Sequence, residues 1–378
     1  MRKAIITILG ILTGISLVLL GYMLLMYQYS QDANIGYPVP KKETSEREMH
    51  SPYEAPDFEE AARRREEEAK KEITLSFVGD LNLNGFQALY ISEGIKGLLS
   101  NSCIEELVSA DYTMGNHEFA FSTRGEPADK QYVFREDPEL VSVLQDMGVD
   151  IVSLANNHAL DYGQDALLDT METLRNVSIE YVGAGADYNE AKALKTVELK
   201  GKRLGFLAAS RVIPNTGWNA GSSTPGMFTC YDSTELKKSI QEAKESCDVV
   251  IVYLHWGEER KEYPEEYERQ LGKDCIDAGA DLVLGSHPHI LQGFEFYKGK
   301  AICYSLGNFL FWRTTDTVVL QASISSENEI TLRLSPYVRE GSRLVETRDR
   351  NAVFSYLQDI SFDVTIDENG YLKEAAHE

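Results

Sequence analysis

Basic residues are in short supply, with 37 Lys and Arg against 60 Asp and Glu in 378 residues, a formal net charge of −23 at pH 7. Nucleic-acid binding draws its affinity from cations held against phosphates, so this balance excludes a nucleic-acid partner. Cysteine is sparse as well: there are five, an odd number, and none are paired as Cys-x-x-Cys. A zinc ribbon and a disulfide-stapled scaffold are thereby excluded. Cys103, Cys230, Cys247, Cys275 and Cys303 lie mostly beside apolar runs and read as small buried hydrophobes. No fixed-period repeat appears. What is plentiful is apolar: 43% hydrophobic and 10% aromatic residues exclude disorder and require a core. At roughly 100 to 200 residues per domain, the length allows one large or two ordinary domains plus extra segments.

Residues 4–26 form the one long run without a charge. At about 1.5 Å per residue it reaches roughly 34 Å as a helix, enough for a bilayer core. No small-x-small cleavage site follows in Tyr27-Gln28-Tyr29-Ser30-Gln31, so an uncleaved transmembrane anchor is expected rather than a signal peptide. Arg2 and Lys3 precede it and Asp32 follows, which places residues 1–3 in the cytoplasm and the rest of the chain outside the cell membrane. Residues 27–72 carry four prolines and then the charged run Glu59 to Glu68, in which Glu residues flank Arg63 to Arg65 at helical spacing, a stalk ending in a solvated helix. Residues 1–72 hold 10 basic and 12 acidic residues, leaving 27 against 48 in residues 73–378, a net of −21. That balance does not predict an extended electrostatic groove for a polyanion.

From residue 73 one pattern recurs: a short β-branched run, a polar cluster, then an amphipathic stretch, the mark of an α/β domain over 73–378. Strands are expected at 73–78, 112–114, 150–154, 180–182, 249–254 and 281–284. Helices are expected at 102–109, 138–147, 164–176, 233–246 and 265–278. Lys200-Gly201-Lys202 and Lys298-Gly299-Lys300 read as hairpin turns, and Asp367-Glu368-Asn369-Gly370 as another turn.

The polar residues capable of chemistry fall at the C-terminal ends of these strands, where open α/β sheets build their sites. They are Gly79-Asp80, Asn116-His117-Glu118, Asn156-Asn157-His158 with Asp161, His255-Trp256-Gly257-Glu258, Gly285-Ser286-His287-Pro288-His289 and Ser305-Leu306-Gly307-Asn308. Of seven histidines, only His50 and His377 lie elsewhere. A lone histidine is usually a surface or satisfied core residue, but five on strand ends favour a metal site. Carboxylate, amide and imidazole donors without thiolate suit Mn, Fe or Zn.

Six strings in this order, Phe77-Val78-Gly79-Asp80, Asn116-x-Glu118, Asn156-Asn157-His158-x-x-Asp161-Tyr162-Gly163, His255-Trp256-Gly257, Gly285-Ser286-His287-Pro288-His289 and Tyr304-Ser305-Leu306-Gly307-Asn308-Phe309, carry a resemblance. The chain resembles the bacterial capsule-synthesis family typified by the poly-gamma-glutamate biosynthesis protein CapA, also called PgsA. That family is similar in fold to calcineurin-like metallophosphoesterases, which implies a four-layer sandwich of two facing β-sheets flanked by helices.

The resemblance implies Asp80, Glu118, Asn157, His255, His287 and His289 as ligands of one or two divalent ions. It also implies His158 as an acid or electrostatic stabiliser oriented by Asp161, with Asn82, Asn116, Trp256, Glu258 and Asn308 around the pocket. In two places the sequence departs from the phosphoesterase pattern: Asn82 stands where a histidine ligand is expected, and Glu118 where a bridging Asp is. Three functions follow. The first is a subunit for synthesis, export or release of an anionic polymer, poly-gamma-glutamate, beside membrane-embedded synthase subunits. The second is a true phosphoesterase on an envelope substrate. The third is a non-catalytic assembly or binding subunit of a polymer ligase complex.

Overall fold

The computed structural model describes residues 72–312, 314 and 316–376. The apolar run 4–26 and residues 27–71 of the stalk lie outside the described residues; among those described, no helix is long and apolar enough to cross a membrane.

The principal strands run, in chain order, β1 (Ile73–Leu81), β2 (Tyr112–His117), β3 (Ile151–Ser153), β4 (Glu180–Val182), β5 (Lys195–Leu199), β6 (Lys202–Ser210), β7 (Val249–His255), β8 (Leu282–Ser286), β9 (Phe294–Tyr297), β10 (Lys300–Cys303), β11 (Asp316–Ile324), β12 (Ile330–Glu340) and β13 (Arg343–Glu346). They form two sheets, ordered β13-β12-β11-β1-β2-β3-β4 and β9-β10-β8-β7-β6-β5. β1 to β4 pair in parallel, as do β6, β7, β8 and β10. Each parallel run needs crossovers, and the helices supply them: α1 (Gln87–Glu93), α2 (Asn101–Val108), α3 (Ser142–Asp146), α4 (Gly163–Asn176), α5 (Thr234–Lys244) and α6 (Glu266–Ala278). The antiparallel pairs β5-β6 and β9-β10 turn at Lys200-Gly201 and Lys298-Gly299, as the sequence predicts. Glu265 and Glu268 form a capping box at the start of α6, and Gly279 ends that helix at φ 117°.

Three apolar layers show why the chain takes this form. Ile73, Leu75 and Phe77 of β1 point inward and meet Val249, Ile251 and Tyr253 of β7 in the core between the sheets. The alternate residues point outward: Val78 packs with Leu107 of α2 and Met171 of α4, while Val250 and Val252 pack with Ile240 of α5 and Cys275 of α6. Both faces of the central strands are covered, so β1 and β7 are continuous buried runs rather than alternating ones. Each fully buried aliphatic or aromatic side chain contributes about 1.5–3 kcal/mol. The result is a helix–sheet–sheet–helix sandwich. All five cysteines are buried and unpaired.

Between the sheets, Tyr253 donates its hydroxyl to the Val78 carbonyl at 3.1 Å. The parallel strands of both sheets therefore bring their C-terminal ends to a common cleft.

Candidate metal centre

The cleft begins with an irregularity in β1. Phe77 pairs with Met114 and Asp80 with Asn116, so β1 carries one extra residue at Val78-Gly79. A bulge of this kind re-aims the next side chain, and here that is Asp80. The segment 306–310 runs alongside: the Asp80 N–H donates to the Gly307 carbonyl at 2.9 Å, and the Phe309 N–H to the Asp80 carbonyl at 2.9 Å. Glycine at 79 is what permits that approach, since a Cβ there would stand 1.8 Å from the Gly307 oxygen.

Asp80 and Glu118 are fully buried. The Asn116 amide donates to Asp80 Oδ1 and to Glu118 Oε1, each at 2.8 Å, and its own oxygen accepts from the Asn156 amide at 3.1 Å. Asn116 thus holds two carboxylates side by side. His289 Nδ1 donates to Asp80 Oδ2 at 3.0 Å and to Asn308 Oδ1 at 2.8 Å. One donor atom each from Asp80, Glu118 and His289 lie within 4.8 Å of one another.

On the other side of Glu118, His255 Nε2 donates to Asn157 Oδ1 at 2.9 Å, while its Nδ1 faces the Ser286 hydroxyl at 3.1 Å and Glu118 Oε1 at 3.5 Å. The His287 ring lies 4.7 Å from the His255 ring and 5.9 Å from that of His289. Asp80, Glu118, Asn157, His255, His287 and His289 therefore share one cleft, although more than 200 residues separate the first from the last. His287 and His289 both have left-handed backbones, at φ 102° and 59°. Such strain is held only where the surroundings over-determine it.

The electrostatics of the cleft follow from burial and from the crowding of its charged groups. Burial pushes the Glu118 carboxyl well above its ordinary value, and the neighbouring Asp80 adds to the shift. Burial works against protonation of His289, but the Asp80 hydrogen bond and the charges of Glu118 and Asp80 outweigh it and push the ring up to about 10. Burial lowers His287 to about 3 and His255 well below its usual range, with their imidazole neighbours assisting. Glu118 Oε2 and His287 Nδ1 are buried without any hydrogen-bond partner. Buried polar atoms are nearly always satisfied, so two orphaned donor atoms in one cleft, beside a carboxylate pair, fit a divalent ion. Oxygen and imidazole nitrogen are the donors such an ion takes.

His158 Nδ1 donates to Asp161 Oδ2 at 2.7 Å, which leaves Nε2 for the cavity. Burial lowers the His158 ring against the pull of Asp161. Asp161 also accepts from the Phe134 N–H at 2.7 Å and pairs through Oδ1 with Lys130 at 2.6 Å. Lys130 donates in turn to the Asn157 carbonyl. A cavity of about 360 Å³ opens beside His158 and His289, walled by Tyr132, Phe134, Phe311 and Trp312 and rimmed by Glu259 and Arg260.

Of the residues expected around the pocket, Asn116 and Asn308 hold site carboxylates and imidazoles. Asn82 is buried but spent on backbone: its amide donates to the Glu118 carbonyl at 3.0 Å and its oxygen accepts from the Asn84 N–H at 2.9 Å. Trp256 and Glu258 are corrections. Trp256 follows His255 on a strand, so it faces the opposite side; it packs in the outer layer with Leu271 and donates its indole N–H to the Tyr304 carbonyl at 2.8 Å. Glu258 comes after Gly257 at φ 87°, where the chain turns outward, and its exposed carboxylate pairs with Lys261. His117 is a core ring, 3.9 Å from Phe119 and 5.0 Å from Phe121, held neutral by burial. Sequence reasoning missed Lys130 and Arg260, which sit on aperiodic loops, and Ser286, which lies inside a quoted motif without being singled out.

The model of the family described as bacterial capsule synthesis protein PGA_cap matches residues 74–313, from β1 through the cavity wall. The chain belongs to this family. It is 33% identical over 273 residues to the PGA biosynthesis protein CapA of Bacillus subtilis, covering 70% of this chain and 71% of that one. To the capsule biosynthesis protein CapA of Bacillus anthracis it is 31% identical over 310 residues, covering 76% and 73%. Among solved structures, the Thermus thermophilus sulfate thiohydrolase SoxB aligns with a TM-score of 0.41 and 13% identity, over 76% of this chain and 60% of that one. Every ligand candidate of the cleft lies within the span matched by the capsule-synthesis family.

Proposed function

We propose that this chain is the membrane-anchored, extracellular subunit of an apparatus that synthesises, exports or releases poly-gamma-glutamate, and that its cleft holds a divalent metal ion. The observation that carries this reading is the fully buried Asp80–Glu118 pair, with the orphaned Glu118 Oε2, facing the same cleft as His289 and His158. Asp80, Glu118 and His289 would hold one ion, and Asn157, His255 and His287 would be the donors available to a second. A bound ion supplies a Lewis acid for a carbonyl or phosphoryl oxygen and reverses the local field of an acidic domain.

The chain's own residues do the rest. Asn116 keeps the carboxylates in register, Asn308 and Asp80 orient His289, and Ser286 fixes the tautomer of His255. Asp161 holds the Nδ1 proton of His158, so that Nε2 gives or takes a proton at the substrate. Lys130 neutralises Asp161 and closes the loop over it. Asn82, spent on backbone, adds no ligand, which makes the Asp80 side the more weakly held of the two positions.

The stretch 4–26, long enough for a bilayer and preceded by Arg2 and Lys3, supports the anchor and its orientation. Protease added to intact cells should remove the domain; complete protection refutes that topology. The functional test is metal analysis of the purified full-length chain, paired with assays on poly-gamma-glutamate and a generic phosphodiester. Bound metal with polymer-dependent activity supports the proposal. Phosphodiester turnover alone replaces it with the phosphoesterase, and bound metal with neither activity replaces it with the assembly subunit.

A further inference from the structure

Arg260 stands on the rim of the cavity that His158 and His289 line. Its backbone is left-handed, at φ 62°, a conformation costing about 1–2 kcal/mol for a residue with a side chain. What holds it there is its N–H, which donates to the Pro288 carbonyl at 2.8 Å. That bond ties the turn after β7 to the His287-Pro288-His289 loop, so the turn that carries the guanidinium is fixed to the loop that presents those imidazoles.

Neighbouring cations are already paired. Lys130 is held by Asp161 and the Asn157 carbonyl, and Lys261 by Glu258 and Glu265. Arg260 has no carboxylate and no hydrogen-bond acceptor for its guanidinium among the described residues, and its side chain is exposed. Next to it on the rim is the carboxylate of Glu259, and behind it the wall of Phe134, Phe311, Tyr132 and Trp312, the last two roughly half exposed at 48% and 46%.

One planar cation without a partner matches one carboxylate bidentately; with Glu259 beside it, the rim has no positive charge to spare for a phosphate dianion. The aromatic wall asks for methylene groups. A γ-linked glutamyl unit has both: two methylenes in its backbone and a free α-carboxylate.

We propose that Arg260 is the carboxylate clamp of this cavity, taking the free carboxylate of one glutamyl unit bidentately while the unit's methylenes lie on the aromatic wall. The neighbouring backbone amide is thereby placed toward His158 and His289. This assignment rests on the poly-gamma-glutamate reading above and names the residue that selects its repeating unit.

The test is titration calorimetry of the full-length chain in detergent with γ-linked glutamate oligomers, for the wild type, Arg260→Gln and Arg260→Lys, with metal content and melting temperature measured on each. Arg260→Gln should weaken binding roughly 10- to 100-fold, the range for losing a charged hydrogen-bonded pair. Arg260→Lys should recover part of the loss, and metal content and melting temperature should not move. Equal affinity of the wild type and Arg260→Gln overturns the clamp. If the wild type fails to bind γ-linked oligomers, α-linked polyglutamate and a glycerol phosphate oligomer serve as probes. Arg260-dependent binding of either keeps an anion clamp and refutes the γ-glutamyl assignment together with the polymer reading, whereas no Arg260-dependent binding of any probe refutes the clamp outright.

Discussion

Replacing Glu118 by Gln should stabilise the metal-free protein and weaken its hold on metal, two effects of opposite sign from one atom. Glu118 is fully buried and its carboxyl is pushed well above the ordinary range by burial and by Asp80. In the unfolded chain it ionises near pH 4.3; in the metal-free fold it keeps its proton to higher pH. Such a group costs about 1.4 kcal/mol of stability for every pH unit between those two points. The penalty is absent below about pH 4.3, grows as pH rises, and stops growing at the shifted value. At pH 7 its ceiling is about 3.7 kcal/mol. Relaxation and entry of water lower it, so we expect a gain of roughly 2 kcal/mol, or about 4 °C in melting temperature.

Gln keeps the rest of the site. Its oxygen still accepts from the Asn116 amide, and its NH₂ takes the place of the unpartnered Oε2 without bringing a charge. The assay is calorimetric melting of chelator-treated full-length protein, wild type against Glu118→Gln, at pH 4.3 and pH 7. With metal added, the order should reverse, because stabilisation by a ligand scales with the logarithm of its affinity. A lower melting temperature for metal-free Glu118→Gln at pH 7, or a difference that is the same at both pH values, refutes the reasoning.

Metal affinity itself should climb with pH up to about 10, since the proton on His289, held up to about 10, competes with the ion, and the raised Glu118 carboxyl adds its own proton at the lower end. Displacing the His289 proton alone gives about tenfold per pH unit, and a flat titration below about pH 10 is incompatible with the assigned ligands. His158→Ala should keep metal content while abolishing polymer production, His287→Ala should lose both, and Asp161→Asn should fall between. Loss of the acid-base ring is worth about 100- to 10,000-fold, so normal production by His158→Ala leaves only the assembly-subunit reading. Trp256→Ala should destabilise the fold by about 3–5 kcal/mol because it empties the outer layer, while the folded fraction keeps its metal; loss of metal without loss of stability would place Trp256 at the site after all. Lys130→Met should cost about 2–3 kcal/mol by leaving Asp161 buried without its cation, read as a lower denaturation midpoint with unchanged slope.

The six expected strands and five expected helices, the hairpins at Lys200 and Lys298, and the placing of Asp80, Glu118, His255 and the His287/His289 pair at strand ends were all present in the one-dimensional pattern. A parallel strand buried on both faces must be a continuous apolar run, and it must hand its chain to a polar turn at its end, so runs and clusters are written locally. What the sequence could not express is direction and distance. His255 and Trp256 are adjacent letters with similar motif credentials, yet the pleat sends one into the cleft and the other into the outer core. Glu258 shares their motif but lies beyond a left-handed glycine that carries it outward. Lys130 and Arg260 carry no periodic signal. Their places depend on a loop crossing to Asp161 and on a backbone bond to Pro288.

Even Gly79, readable as one more glycine before an acid, owes its identity to the Gly307 carbonyl more than 220 residues away. Local periodicity records which residues are buried. Which buried residues meet is decided only when two sheets pack face to face and bring their strand ends to one cleft.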